Sequence, residues 1–454
     1  MYNSLNATGS YGLNPKDTDV GNKANIALNC VFAFSSLFAG ALFNVMGHRL
    51  LLILGGLTYV LYVGSFLAYH YIESIVFVVI ASCLLGLGAG WLWTAQGAVM
   101  MGYPAEGDKG KYFSIFWAIF NCGSVIGNVI PLGLQWNDPS AGGASTSAYI
   151  AYMVIMTFGA LISVFLLPPE KVSHKDGTPV TRVKYSSPIL ELQFVARLFL
   201  DWRMLCLVPM FFTSNWFYTY QFTMNSLNFT QRTRSMNSMM YWFAQIVASL
   251  AFGAFLDRAK WTRKTRARYG LAVLTILLIA TWAGGIVWQT TFGPRSYILD
   301  TDGKTPIKNP ADYHMYDLVN DTGKYMGPFF LYFFYGSLDA MYQGYAYWLM
   351  GALTNDTAQA ARFAGFYKFV QNLGGVLAPV VQTSTIGIAP SDGNHILHAH
   401  GHGMGEVIVA AVLVFVGVIG AIPVAFHAIK DHTVEESDEV VAEKYEADVD
   451  DVKA

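Results

Sequence analysis

Charge is scarce in this chain: Asp, Glu, Lys and Arg make up 13% of its 454 residues, against roughly a quarter in an average soluble protein. That scarcity excludes a stack of soluble domains, which length alone would allow. Cysteine is scarce as well. Cys30, Cys83, Cys122 and Cys206 all fall inside apolar runs, so they read as packing residues and not as a disulfide framework. No basic, aromatic-interleaved stretch speaks for nucleic acid, because the Lys/Arg residues sit in short clusters between apolar runs. The opening MYNSLNATGS is polar, so no cleavable signal peptide is expected. There is no nucleophile elbow, phosphate loop or set of paired metal ligands, so neither an enzyme, a metal nor a cofactor is expected. Gly86, Gly88 and Gly90 lie within an apolar run and serve close packing, not dinucleotide binding.

Hydrophobic residues are abundant, at 54%. They gather in runs of about twenty, each long enough to cross a hydrocarbon core of roughly 30 Å. Eleven spans are expected: 24–46, 50–70, 75–101, 112–134 and 147–167, then 204–224, 237–256, 269–289, 327–351, 363–384 and 404–427. The fold class is therefore an all-α polytopic membrane protein. The lipid bilayer is its first partner. Between the two groups lies a basic connector, 168–203, whose ELQFVARLFLDW end has the pattern of a surface-lying amphipathic helix.

The Lys/Arg distribution sets an orientation. Arg49, Lys109, Lys111, Arg362, six residues of the connector and six of Asp257–Arg268 fall on one side, sixteen against eight on the other. By the positive-inside rule that side is cytoplasmic. The tail Asp431–Ala454, with ten Asp/Glu and two Lys, then lies in the cytoplasm, is expected to be disordered, and carries Ser437 as a phosphorylation candidate. On the opposite side the sequon at Asn320 is the main glycosylation candidate; those at Asn6, Asn228 and Asn355 are less well placed. His395, His398, His400 and His402 cluster before the last span without completing a metal site.

Internal symmetry, a common mark of secondary transporters, is present. Asn3-Ser4-Leu5-Asn6 recurs at Asn225-Ser226-Leu227-Asn228, Gly40–Asn44 at Gly253–Asp257, and Asn121–Val125 at Asn372–Val376. The pairs keep their order, and the longer loop 290–326 explains the change in offset. The second-half copy of Asn-Ser-Leu-Asn closes a span, whereas the first-half copy starts at residue 3. A first helix is therefore expected to precede Met1, the alternative being a chance match in a chain with eleven spans.

Gly40-x-Leu42-x-Asn44-x-x-Gly47-His48-Arg49 resembles the loop motif of major facilitator proteins, with Asn44 where an Asp is usual; Gly253, Asp257 and Arg258 form the second copy. The segments MYNSLN, Leu92–Met101, Phe229–Asn237, Gly336–Asp356 and Phe363–Gln371 together resemble the fungal branch of the Unc-93-like family of that superfamily. The resemblance implies a major facilitator fold of two pseudo-repeated bundles: 1–167 with its first helix absent, the connector 168–203, 204–427, and the acidic tail 428–454. It also implies that Gly40, Asn44, Gly47, Arg49, Gly253, Asp257 and Arg258 serve conformational gating. Animal members act as a potassium-channel regulatory subunit and as a trafficking partner of nucleic-acid-sensing receptors.

Ionisable residues within spans are functional candidates by default. Asp339 is mid-span, and Tyr332, Tyr335, Tyr342 and Gln343 share its helical face. Ser214, Tyr218, Gln221 and Asn225 form a second stripe, and Trp93 with Gln96 a smaller pair. A solute site lined by Trp93, Gln96, Tyr218, Gln221, Tyr335, Asp339, Tyr342 and Gln343 is one reading. A buried acid that fixes helix packing is the other. Lys368 either snorkels to the cytoplasmic surface or couples with Asp339 to an ion. The expected function is alternating-access transport of a small solute; the alternative is a non-transporting subunit of another membrane protein.

Overall fold

Long helices form wherever the apolar runs lie, and they stop where the backbone is forced to turn. The computed structural model describes residues 18–105, 107–134, 146–167, 171–173, 188–291, 296–299, 306–308, 315–385, 388–390, 396–399 and 404–431. The segment MYNSLN with Asn6, residues His395, His400 and His402, and the tail with Ser437 lie outside them. Five helices make the first group: α1 (Thr18–Met46), α2 (His48–Ile72), α3 (Ile75–Gly102), α4 (Lys109–Leu134) and α5 (Thr146–Ile162). Between α1 and α2 stands Gly47 at φ 77°, a left-handed turn that a side chain would strain.

The connector contributes α6 (Pro188–Leu198), an amphipathic helix that seats Phe194, Val195 and Leu198 against α1 and α12. The second group holds α7 (Trp202–Thr213), α8 (Trp216–Asn228), α9 (Gln231–Leu256), α10 (Arg263–Thr291), α11 (Thr322–Leu353), α12 (Thr357–Thr385) and α13 (Met404–Pro423). The single span expected over 204–224 is thus two helices, broken at Ser214–Asn215. Pro209 supplies no backbone N–H to α7. The Ser214 hydroxyl and N–H both turn back to the Phe211 carbonyl, closing the helix.

Among the described residues seven helices are long and apolar enough to cross a membrane. The other four expected spans fall on α5, which has 17 residues, on the broken pair α7–α8, and on α11 and α12. The last two carry polar groups inward, which lowers their hydropathy without exposing them: Asp339, Gln343, Arg362, Lys368 and Gln371 are all buried. Outward-facing positions are apolar instead, with Phe158 and Ile276 67% exposed and Ile119 70%. Polar inside and apolar outside is the arrangement that lipid, not water, permits.

Within the first group α3 packs on α1 and α2, and α2 on α5; within the second α11 packs on α9 and α10, and α7 on α13. The groups meet along two seams, α4 against α9 and α1 against α12, with α3 also touching α12. The second group holds the larger core, built on Phe211, Tyr241, Trp282, Tyr342 and Tyr345, with Phe113 and Trp117 reaching in from α4. At the end away from the connector, β1 (Ser296–Leu299), β2 (Pro306–Lys308), β3 (Ile388–Pro390) and β4 (Ile396–Ala399) pair antiparallel in the order β2-β1-β4-β3. Exposed Asn320 lies at the same end, just before α11.

Candidate functional site

Asp339 lies on α11 with no exposed surface. An ionised carboxylate in such a place must be hydrogen-bonded, and three helices provide the donors. Tyr218 on α8 donates at 2.8 Å to Oδ2, Tyr241 on α9 at 3.0 Å and Gln245 Nε2 at 2.8 Å. One turn along α11, Gln343 Nε2 donates to Oδ1 at 2.7 Å. Gln245 is itself fixed from the other group: Trp117 Nε1 on α4 donates to its Oε1 at 2.7 Å. An indole can only donate and a carboxylate only accept, so the amide between them has one orientation.

Lys368 is the twelfth residue of α12, about 16 Å along the helix at 1.5 Å per residue. It does not run out to the surface: the helix starts six residues earlier than expected, and Lys368 is 4% exposed. Its Nζ donates to Gln371 Oε1 at 2.7 Å. It also stands 4.4 Å from the Trp93 ring of α3, 5.1 Å from Tyr367 and 5.8 Å from Tyr347.

Acid and base are joined through two side-chain amides and not by a direct ion pair. Lys368 donates to Gln371, Gln371 Nε2 to Gln343 Oε1 at 3.1 Å, and Gln343 Nε2 to Asp339. Every donor points from the cation toward the anion, so each bond polarises the next. Gln371 Nε2 is also within hydrogen-bond distance of Ser214 Oγ and Asn215 Oδ1 at the α7–α8 break and of the Tyr367 hydroxyl, each at 3.0 Å. The break thus gives the network two polar side chains that a continuous helix would have turned along its face.

Of the residues expected to bind solute, Trp93, Tyr218, Asp339 and Gln343 come together here, with Lys368. The others lie elsewhere. Gln96 donates to Met100 Sδ at 3.4 Å. Gln221 offers its backbone carbonyl to Tyr332, and its Oε1 has no partner among the described residues. Tyr335 packs on Trp282 at 5.7 Å. Tyr342 pairs with Thr213 at 2.7 Å between α7 and α11. Trp117, Tyr241, Gln245, Tyr367 and Gln371 were not singled out from the sequence. The last two lie in Phe363–Gln371, and Gln245 is a lone amide in an apolar run, which was a usable signal.

The motif residues lie at the connector end. Gly40 abuts the Ala361 backbone across the α1–α12 seam, and Gly253 abuts the Gly110 carbonyl across α4–α9. Asp257 accepts from the Gly110 N–H at 3.0 Å and the Lys111 N–H at 2.5 Å, capping α4. Burial pushes its carboxyl up to about 6, against the pull of those two N–H groups and of Arg266. Lys109 reaches the opposite way and donates to the carbonyls of Gly351 and Thr354 and to Asn355 Oδ1, capping α11. Arg49 holds the Leu166 carbonyl within the first group, and Arg258 lies over Trp261 in its own loop. Asn44 is buried, and neither amide atom has a partner among the described residues.

A family model described as the ion channel regulatory protein UNC-93 matches residues 19–307. UNC93-like protein 1 of Arabidopsis thaliana is 42% identical over 388 residues, covering 85% of this chain and 81% of that protein. An UNC93-like protein of Schizosaccharomyces pombe is 39% identical over 388 residues, 85% of this chain and 74% of its own. Among solved structures, the proton:xylose symporter XylE matches with a TM-score of 0.60 at 12% identity, covering 96% of this chain and 94% of its own. FucP in the outward conformation matches with a TM-score of 0.57, also at 12% identity, over 89% of each chain. At such identities the structures speak for the fold alone, which is that of the major facilitator transporters. The chain belongs to the UNC-93 family of multi-pass membrane proteins.

Proposed function

We propose that this protein is a secondary transporter of a small solute, in which the two groups of helices rock against each other around the Asp339–Lys368 site. One observation carries the reading. Both charges belong to the second group, and each is touched by a tryptophan of the first: Lys368 by the Trp93 ring, Asp339 through Gln245 by the Trp117 N–H. A change of charge at either residue therefore acts on the boundary across which the groups move, which is what coupling requires. Asp339 serves as the proton carrier and Lys368 as its counter-charge. The proton:xylose symporter XylE shares this fold, which supports proton coupling as part of the reading. The connector end, rich in Lys and Arg, faces the cytoplasm with the acidic tail, and Asn320 is the glycan acceptor.

The test is uptake from a defined mixture of sugars, amino acids, small acids and amines into proteoliposomes under an inward proton gradient, read by mass spectrometry. At least one solute should accumulate with the unaltered chain, and accumulation should fall at least about tenfold, 1.4 kcal/mol, in Asp339→Asn and in Lys368→Met. Trp117→Phe, which loses a single hydrogen bond of about 1 kcal/mol, should fall less. No accumulation, or equal accumulation in the first two variants, discards the reading. The description of the family model supports a second one, a non-transporting subunit of another membrane protein. Copurification of one stoichiometric membrane partner, with no solute accumulated, would favour it.

A further inference from the structure

The two charges of the site differ in what they have left to offer a ligand. Asp339 receives four donors, three at Oδ2 and one at Oδ1. With about two acceptor positions on each oxygen, Oδ2 is filled and Oδ1 keeps one, which is room for a proton. Lys368 has three N–H donors. Among the described residues its one oxygen acceptor is Gln371 Oε1; the rest of its surroundings is the faces of Trp93, Tyr347 and Tyr367. Ring faces attract an ammonium but do not replace an oxygen acceptor. Beside them the Tyr347 hydroxyl, on a residue 1% exposed, has no hydrogen-bond partner among the described residues. With two N–H donors unspent at the cation, one hydroxyl without a partner beside it and a single Oδ1 position left at the anion, the component best accommodated is an acceptor.

We infer that the solute is a small anion, a carboxylate or similar oxyanion, bound by the Lys368 ammonium and the Tyr347 hydroxyl between α3, α11 and α12. The inference rests on the transporter reading only for the use made of the site; binding is a separate property. It also fixes what accompanies the solute. Lys368 and Asp339 together are neutral, and an added anion leaves one net negative charge in an apolar core, which is costly. A proton on Asp339 restores neutrality, so anion and proton bind with positive, reciprocal coupling. The ionisable groups facing Asp339 are Tyr218 of α8, Tyr241 of α9 and, through the amides, Lys368 and Tyr367 of α12. The tyrosines stay neutral as donors, which leaves Asp339 to take the proton.

The experiment titrates the full chain in detergent with acetate, benzoate and inorganic phosphate, and in parallel with ethylammonium, benzylammonium and benzyl alcohol. It reads melting temperature and tryptophan emission, since Trp93 touches Lys368. At least one anion should raise the melting temperature by roughly 2 °C or more and shift the emission, more strongly at lower pH; the cations and the alcohol should not. Lys368→Arg should keep part of the response and Lys368→Met lose it. Because Lys368→Met strands a buried carboxylate, the double variant Asp339→Asn, Lys368→Met, which removes both charges, serves as the folded comparison and should be silent toward anions. Stabilisation by a cation that disappears in Asp339→Asn overturns the inference. So does a lack of response to all three anions, or an anion response retained in the double variant. Anion binding without uptake would leave the inference standing and reject the transporter. Uptake of a cation or a neutral sugar through the same site would do the reverse.

Discussion

The seam between α4 and α9 and the seam between α1 and α12 share a plan and differ in their locks. In both, a glycine lets two backbones meet: a Cβ on Gly253 would stand 2.5 Å from the Gly110 carbonyl, and one on Gly40 would stand 3.0 Å from that of Ala361. In both, the residue four positions later faces the start of the partner helix by repeat. At the first seam that residue is Asp257, whose carboxylate caps α4 across the boundary, while Lys109 caps α11 in return. At the second it is Asn44, whose amide has no partner among the described residues, and Asp356 caps α12 from the second group itself, accepting from Ala358 and Gln359 at 3.1 Å each. One seam is thus held by charge placed at helix ends, where it is favourable by about 0.3–1 kcal/mol per charge at exposed ends and more when buried. The other is held by close packing. A charged contact responds to pH or to a ligand; close packing does not. Under the transporter reading proposed above, release would fall to α4–α9 and the pivot to α1–α12.

Lys109→Ala should have the largest effect on this contrast. It removes a buried cation from three oxygen acceptors and leaves the last carbonyls of α11 bare, a loss of about 3 kcal/mol. Spin labels at exposed Leu50 and Lys260, one in each group, should then report a second, longer distance at the connector end. An unaltered distribution would mean that Lys109 does not latch the groups. Asp257→Asn should act in the same direction with about half the effect, since an amide oxygen keeps one of the two N–H bonds.

The pH response at Asp257 has a definite sign. Its carboxyl is raised from 3.8 to about 6 in the closed seam, while in an opened, solvated seam it returns toward its ordinary value. The closed state therefore binds more protons between these values. Acidification through that window favours closure, and closure weakens as pH rises toward about 6 and above. The label distances should tighten from about pH 7 to about pH 5 and stay level in Asp257→Asn. Opening on acidification would contradict the assignment.

How far these seams and the site could be read from sequence varies by residue. Asp339 was legible because a carboxylate in an apolar run stands out, and Gln343 and Tyr218 because they fall on helical stripes. Gln221 and Tyr342 shared those stripes and still lie elsewhere. The break at Ser214–Asn215 changes the phase of α8 relative to α7, and Tyr342 turns toward Thr213 instead. Lys368 was placed too near the surface because its polar leading turn, 357–362, did not look like membrane helix. Gln245 and Trp117 could not be paired from sequence, since their contact joins positions 128 residues apart. Most of the long helices were plain, because lipid enforces apolar runs; the break in α7–α8 and the polar start of α12 were not.

The smallest expected effect tests the second seam directly. If Asp257 works because a carboxylate meets unsatisfied helix N–H groups, Asn44→Asp should not create a matching latch, because Asp356 already holds the Ala358 and Gln359 N–H groups of α12. The new carboxylate would be buried beside an acid that is already in place, and Asn44→Asp alone should destabilise by about 1 kcal/mol. In an Asp356→Ala background those N–H groups are freed. Asn44→Asp should there recover stability and, in the label experiment, make the α1–α12 seam respond to pH as α4–α9 does. A gain of stability in the single variant would show that the seams are equivalent and that Asn44 is a weak latch, not a pivot. No recovery in the double variant would show that Asn44 does not face the start of α12, and the close packing at Gly40 would then be what distinguishes this seam.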